Sequence, residues 1–405
     1  MTTQRATSAT ALTSHLASCN AFGSDPFVLA DVGVSGGIHS CWQAFGSDLR
    51  VFGFDPLIGE IERLRGQHPG GSHVYVAAKV GCIGMRAQDG RETQITGQND
   101  HCYSRLASFL AESLGGSDAI GRYDQSGQRT MSSDMIELDQ YFLDQKRPVP
   151  NFIKTDTDQF DIDVLRGAKG LLKTGGLLGI SVEAYFVGNI GPDANVFSNI
   201  DNLLRSNGFT LFELDPVRYS RAALPAPFLA PSPCQSQTGQ VTWAEAVYFR
   251  DLAHPDYEAM WGITPTAVDV LKLACLFDLF SLPDCAADVL VKYKSMFDEA
   301  FHEKCLDCLT PTLGSRRVTR ADFLASFERY VRSGYDQTHF PYDGLPPNIT
   351  HEQWLDLEEK MRLKDEIIAS LKGIVAAHEE SIGRMQARET ERLRQELRAQ
   401  GLLKE

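Results

Sequence analysis

The feature that most constrains this chain is a series of apolar runs between Phe27 and Asp251, alternating with helical patterns and glycine turns. Strands that alternate with helices build an α/β domain around a mostly parallel sheet, whose strands are buried on both faces. Four runs stand out: FVLADVG ends in a glycine turn, LRVFGFDP in Asp-Pro, NFIKTDTD in acids, and LLGISVEAYF in Glu183 and aromatics. Each carries its polar residues at the C-terminal end, where open α/β sheets bind their ligands. Two further runs, FTLFELD and TWAEAVYFRD, flank a proline-rich segment from Leu224 to Pro233 and read as additional strands.

Composition narrows the classes. A chain of 405 residues can hold an α/β core and one or two further modules. Its formal charge of -14 argues against a nucleic-acid partner, because phosphate backbones need clustered Lys and Arg. Nine scattered cysteines do not form the framework of a small secreted domain and suit a reducing cytoplasm. Residues 1–24 open with a Ser/Thr/Ala-rich stretch that lacks the apolar centre of a signal peptide, and are expected as a flexible lead-in. The most apolar later stretch, Val270 to Leu282, is broken by Lys272 and Asp278 and is too short for a transmembrane segment.

The expected α/β domain covers 25–253. From 254 to 345 the spacing turns helical, in AVDVLKLACLFDLF and CAADVLVKYKSMFDEAFHEKCLDCL, which reads as an accessory module. Within 351–400, Trp354, Leu357, Met361, Ile368, Leu371, Val375, Ile382 and Met385 occupy successive heptad positions that only Lys364 and His378 break. Such a seam predicts a coiled coil, with a homo-oligomer formed through 354–385; one long amphipathic helix packed on its own chain is the alternative.

Two strand ends suggest a nucleoside site. Asp31, Gly33, Ser35, Gly36 and Gly37 follow the first run, where glycines let a backbone approach a ligand and a helix N-terminus offers free amides. Asp31 stands where the nicotinamide-cofactor fingerprint has its first glycine, which disfavours an oxidoreductase. A carboxylate there suits a cationic ligand, and S-adenosylmethionine carries an ammonium and a sulfonium. Asp55 closes the second run, eighteen positions after Gly37, near the spacing at which an acid caps ribose hydroxyls. The alternative for Asp55 is a turn that caps the next helix.

The segment from Ile153 to Ala168, IKTDTDQFDIDVLRGA, resembles the FkbM-family motif, in which a strand ending I-K-x-D is followed by two acids and V-L-R-G-A. Lys154, Asp156, Asp158 and Asp161 match its lysine and its acids, while Gln159 departs from the usual glycine and Asp158 replaces the more common Glu. The likeness extends to DVGVSGG, FGFDP, IELDQYF and ISVE, and so runs from about Asp31 to Asp251. It implies a Rossmann-like class I methyltransferase sheet that binds S-adenosylmethionine at the first two strand ends and methylates a hydroxyl oxygen, often of a saccharide.

Asp156 and Glu183, expected at the ends of the fourth and fifth strands, are the candidates to activate or position the acceptor, with Asp158 beside them. Carboxylates there could act as general base or hold a divalent metal, and the sequence assigns no metal ligands. Asp161 and Asp163 read better as first-turn acids of the next helix. His302, Cys305 and Cys308 lack the second ligand pair of a structural zinc site and read as core residues. His39 lies just past the glycine turn. A noncatalytic assembly protein that keeps the fold is the alternative function, and cofactor binding separates the two.

Overall fold

The computed structural model describes residues 11–82, 131–157, 160–188, 191–219, 228–229, 232–236, 238–310, 312–313, 316–332 and 334. The chain divides into two compact units, 1–310 and 311–405.

All six apolar runs form strands: β1 (Phe27–Val32), β2 (Leu49–Asp55), β4 (Phe152–Thr155), β5 (Gly179–Tyr185), β6 (Thr210–Tyr219) and β7 (Gln240–Phe249). A seventh, β3 (His73–Ala77), was not among the expected strands; it is a five-residue strand that, among the described residues, pairs with β2 alone. The order is β3-β2-β1-β4-β5-β7-β6, extended beyond β6 by two short strands, Ser232–Ser236 and Phe228–Leu229. The first five strands run parallel, and β7 enters antiparallel between β5 and β6. The chain reverses direction of travel between β1 and β4, so a crevice opens at their carboxyl ends.

Because strand side chains alternate, each face of the sheet has its own core. One face carries Val28, Ala30, Phe54, Ile153 and Val182, packed with Val164 and Leu165 of α3 (Asp161–Arg166) and Ile200 and Leu204 of α4 (Phe197–Arg205). A second helix, α2 (Ile58–Gln67), follows β2 and packs Ile61 and Leu64 against Val34 and Tyr75.

The other face carries Phe27, Leu29, Val51, Phe152 and Phe249. Covering it are α1 (Ala11–Ser18), α6 (Ala267–Leu279), α7 (Pro283–Lys292) and α8 (Glu299–Leu309), with α5 (Tyr257–Trp261) supplying Tyr257. These helices have sharp starts: Thr266 and Asp269 form a reciprocal capping box, Pro283 occupies the first turn of α7, and Asp298 accepts from Ala300 and Phe301 amides. The helices after Asp251, as far as Leu309, therefore share one core with the sheet.

Residues 11–18, expected as part of a flexible lead-in, instead form α1 with Leu12, Thr13 and Leu16 buried. The two charges that interrupt the apolar stretch explain the docking. Asp278 accepts from the Thr13 amide and hydroxyl, each at 3.0 Å, and Lys272, 1% exposed, bonds Asp25 and the Pro26 carbonyl at 2.9 Å. His302, Cys305 and Cys308 are buried in α8, where His302 Nε2 meets the Leu290 carbonyl at 3.1 Å.

In the second unit, α9 (Arg320–Arg332) follows a short hairpin of Thr312–Leu313 and Arg316–Arg317. The expected coiled coil at 351–400 lies outside the described residues. Among those described, no helix is long and apolar enough to cross a membrane.

Candidate active site at the carboxyl ends of the parallel strands

The site begins with the turn after β1. Gly33 has φ +84°, and a Cβ on it would land on the Asp156 carbonyl, so only glycine lets β1 pass this close to the end of β4. The amides of Gly33 and Val34 both donate to the Phe54 carbonyl, at 2.9 and 3.1 Å, which ties the turn to β2. Gly36 and Gly37 continue at φ +86° and +93°. Asp55, at the end of β2, accepts from the Leu57 amide at 2.8 Å; burial raises its carboxyl above the ordinary range.

Parallel register then aligns Tyr75, Gly53, Asp31, Lys154 and Ser181 in one row across five strands. Lys154 stands between Asp31 and Ser181 in this row. Its Nζ lies 3.4 Å from Asp31 Oδ1, 3.1 Å from Asp156 Oδ2 and 3.4 Å from the Gly33 carbonyl. Burial works against its charge, yet Asp31 and Asp156 together hold the ammonium above its ordinary value.

Asp31 is 3% exposed, and burial pushes its carboxyl up to about 6 in spite of Lys154, with Asp156 and Asp55 adding repulsion. Its Oδ1 is within ion-pair range of Lys154 but makes no directed hydrogen bond. Tyr75 Oη is likewise buried without a hydrogen bond, and burial, then Asp31, push it up to about 12. A Cβ on Gly53 would meet the Tyr75 ring at 2.6 Å, so the missing side chain makes room for the ring to lie across β2.

On the β5 side, Ser181 Oγ donates to Glu245 Oε1 at 2.9 Å across to β7. Burial raises the Glu245 carboxyl, and it feels the charges of both Asp156 and Lys154. Glu183 faces Glu245 in the strand register, two residues inside β5 rather than at its end as expected.

The fold thus brings Asp31, Gly33, Lys154 and Asp156 together at the ends of β1 and β4, with Ser35, Gly36 and Gly37 in the turn after β1, Asp55 at the end of β2, and Glu183 set by register opposite Glu245. Asp158 lies outside the described residues. Asp161 heads α3 as a first-turn acid, but it is fully buried; burial raises its carboxyl, and Asn195 Nδ2 donates to it at 3.3 Å. His39 caps the following turn by accepting the Cys41 amide, a local structural task. Among the described residues no group of three His, Cys, Asp or Glu side chains is arranged to hold a metal ion.

Sequence reasoning missed Ser181, Glu245 and Tyr75, and it read Lys154 only as part of a motif. A lone acid in the apolar run TWAEAVYF was the available signal for Glu245.

Residues 31–211 match the methyltransferase FkbM domain model. No curated protein matches the chain. Among solved structures, it is similar to a precorrin-6y C5,15-methyltransferase from Geobacter metallireducens GS-15, at 9% identity and TM-score 0.27, over 58% of this chain and 87% of that one. It is also similar to a SAM-dependent methyltransferase from Agrobacterium tumefaciens, at 9% identity and TM-score 0.28, over 59% and 60%. A third is the Burkholderia thailandensis 1,6-didemethyltoxoflavin-N1-methyltransferase with bound S-adenosylhomocysteine, at 11% identity and TM-score 0.23, over 61% and 80%. The domain match takes in the glycine turn, β2, β4 and β5, and over those residues the chain is similar to the FkbM methyltransferase domain.

Proposed function

We propose that the chain is an S-adenosylmethionine-dependent methyltransferase that acts on a hydroxyl oxygen of a saccharide or related polyol. The observation that carries this reading is the charge balance of the crevice: Asp31, Asp55, Asp156 and Glu245 surround one cation, Lys154, beside a glycine turn. An acidic crevice of this kind suits a cofactor with an ammonium and a sulfonium. Asp31 Oδ1 and Tyr75 Oη fit as polar atoms a ligand can satisfy, and the space where Gly36 would carry a Cβ is open.

When bound, the cofactor supplies an electrophilic methyl group. The chain's own residues divide the remaining work. In this reading Asp55 caps ribose hydroxyls, the turn from Gly33 to Gly37 lets the backbone approach closely, and Asp31 offers a carboxylate to the cofactor's cationic end. Asp156, Glu245 and Glu183 line the acceptor side, where a weakly nucleophilic hydroxyl needs its proton accepted or its oxygen oriented. Lys154 holds Asp156 in place, and Ser181 holds Glu245. Asp158 is retained as a supporting acid from the motif.

Calorimetry with S-adenosylhomocysteine tests the cofactor reading. Micromolar-range binding is expected, and Asp55→Ala should weaken it by about ten- to a hundredfold, the cost of a charge-assisted hydrogen bond. A protein that binds neither cofactor nor product would favour the noncatalytic assembly role. Transfer of a labelled methyl group to a panel of glycans and polyols tests the acceptor class, and transfer to nitrogen acceptors alone would overturn it. Once an acceptor turns over, Asp156→Asn and Glu245→Gln should each lose activity with cofactor binding retained. Loss of activity on chelation, with recovery on adding Mg2+ or Mn2+, would assign the acceptor-side carboxylates to a metal.

A further inference from the structure

An acid beyond the first strand holds the glycine turn by one of its own amides: Gly36 N–H donates to Glu60 Oε1 of α2 at 2.7 Å, across 24 residues of sequence. Gly36 has φ +86°, and nothing lies within 4 Å of the position its Cβ would take, so it has no side-chain packing to fix it. The Glu60 bond supplies the tie.

Glu60 is held in turn by Arg63, whose Nε donates to Oε2 at 2.8 Å and whose Nη2 donates to Oε1. Glu60 is the more buried of the pair, its side chain 19% exposed against 43% for Arg63. The Arg63 hydrogen bonds are the main cause that lowers the Glu60 carboxyl below its ordinary value, although burial opposes them; the Gly36 amide adds to the lowering. Both carboxylate oxygens are thus engaged within the protein. Below them, Val34 of the turn packs with Ile61 and Leu64 of α2, so turn and helix form one body.

We propose that Glu60 is a positioning residue for the cofactor site: its carboxylate fixes the Gly36 amide, and with it the glycine turn, in the shape that receives S-adenosylmethionine, while Arg63 holds the carboxylate. This rests on the cofactor reading above. A tie of this kind sets the turn before the ligand arrives, so less ordering is left to the binding step.

The experiment compares wild type, Glu60→Ala, Glu60→Gln and Arg63→Ala by calorimetry with S-adenosylhomocysteine, thermal unfolding of the ligand-free proteins, and amide exchange of the peptide covering the turn. Glu60→Ala should weaken binding about tenfold or more and speed exchange in the turn, as expected for a lost charge-assisted bond. Glu60→Gln keeps an oxygen acceptor for Gly36 and should stay within about threefold of wild type, with Arg63→Ala between the two. Unchanged affinity in Glu60→Ala overturns the proposal. Tighter binding also overturns it, since the carboxylate would then be competing with the ligand for the amide. Equal losses in the Ala and Gln variants that track a lowered unfolding temperature reduce Glu60 to a structural tie. If wild type itself does not bind S-adenosylhomocysteine, the cofactor reading fails and this proposal falls with it, an outcome distinct from normal wild-type binding with an indifferent Glu60→Ala.

Discussion

Arg250, at the end of β7, is fully buried and directs its guanidinium to five acceptors: the carbonyls of Leu177, Asn207, Leu172 and Thr174, and the Tyr257 hydroxyl. Its plane lies over Phe209, 4.2 Å from the ring centroid. Arg250→Met leaves these buried acceptors without a donor, and a loss on the order of 3 kcal/mol or more is expected in urea unfolding. Arg250→Lys should recover only part, because an ammonium has three donors and no fork. Asp31 contributes to the response to pH alongside Asp55, Asp161 and Glu245, whose carboxyls burial also raises. Its carboxyl is raised in the fold to about 6 from 3.8, so its stabilising contribution is complete below the unfolded value and is lost as pH climbs through the folded one. Stability of the ligand-free protein should therefore fall between about pH 4 and 6, and Asp31→Asn should flatten that part of the profile. An unchanged slope in the variant would remove Asp31 as a source of it. Asp31, Asp55 and Asp156 were legible in the sequence because each sits where an apolar run stops. Ser181 and Glu245 were not, since an acid in mid-strand acquires meaning only once its cross-strand neighbour is known.

Among the elements, α1 departs furthest from what its composition suggests. Eight residues of ALTSHLAS are too few to show a period or to hold a helix in water, and Ser, Thr and Ala read as lead-in. Its stability comes from packing that includes partners far along the chain, Leu12 and Leu16 lying at 0% exposure in the core shared by Phe22, Trp42, Phe45, α6 and α8. Leu16→Ala should accordingly cost about 2–5 kcal/mol in thermal or denaturant unfolding. An unchanged midpoint would return α1 to the status of a loose lead-in. Strand β3 escaped notice for the opposite reason: HVYVA is a fair strand sequence, but it is short and follows a glycine-rich turn. The longer runs had both hydrophobicity and a polar terminus to mark them, and all became strands where they were expected.

For the whole molecule, the sequence suggests a body of one α/β unit with an assembly device behind it. The seam between Trp354 and Met385 would leave a long apolar stripe exposed in a lone helix. Light scattering should therefore find an oligomer for the full chain and a monomer after truncation beyond Tyr342; a full-length monomer would point to packing within the chain. The sheet order has a further consequence, in the time it takes to make the protein. Strand β6 leaves the ribosome before β7, the strand that must lie between it and the rest of the sheet, so it has no place to dock until residue 249 has been made. The delay is longer for α1, the first described helix to be synthesised, because the Asp278 carboxylate that receives Thr13 arrives 265 residues later. At about 5–20 residues per second, that leaves Leu12 and Leu16 without their partners on α6 and α8 for roughly 13 to 53 seconds, an interval in which the nascent chain has only its early residues to cover its first helix.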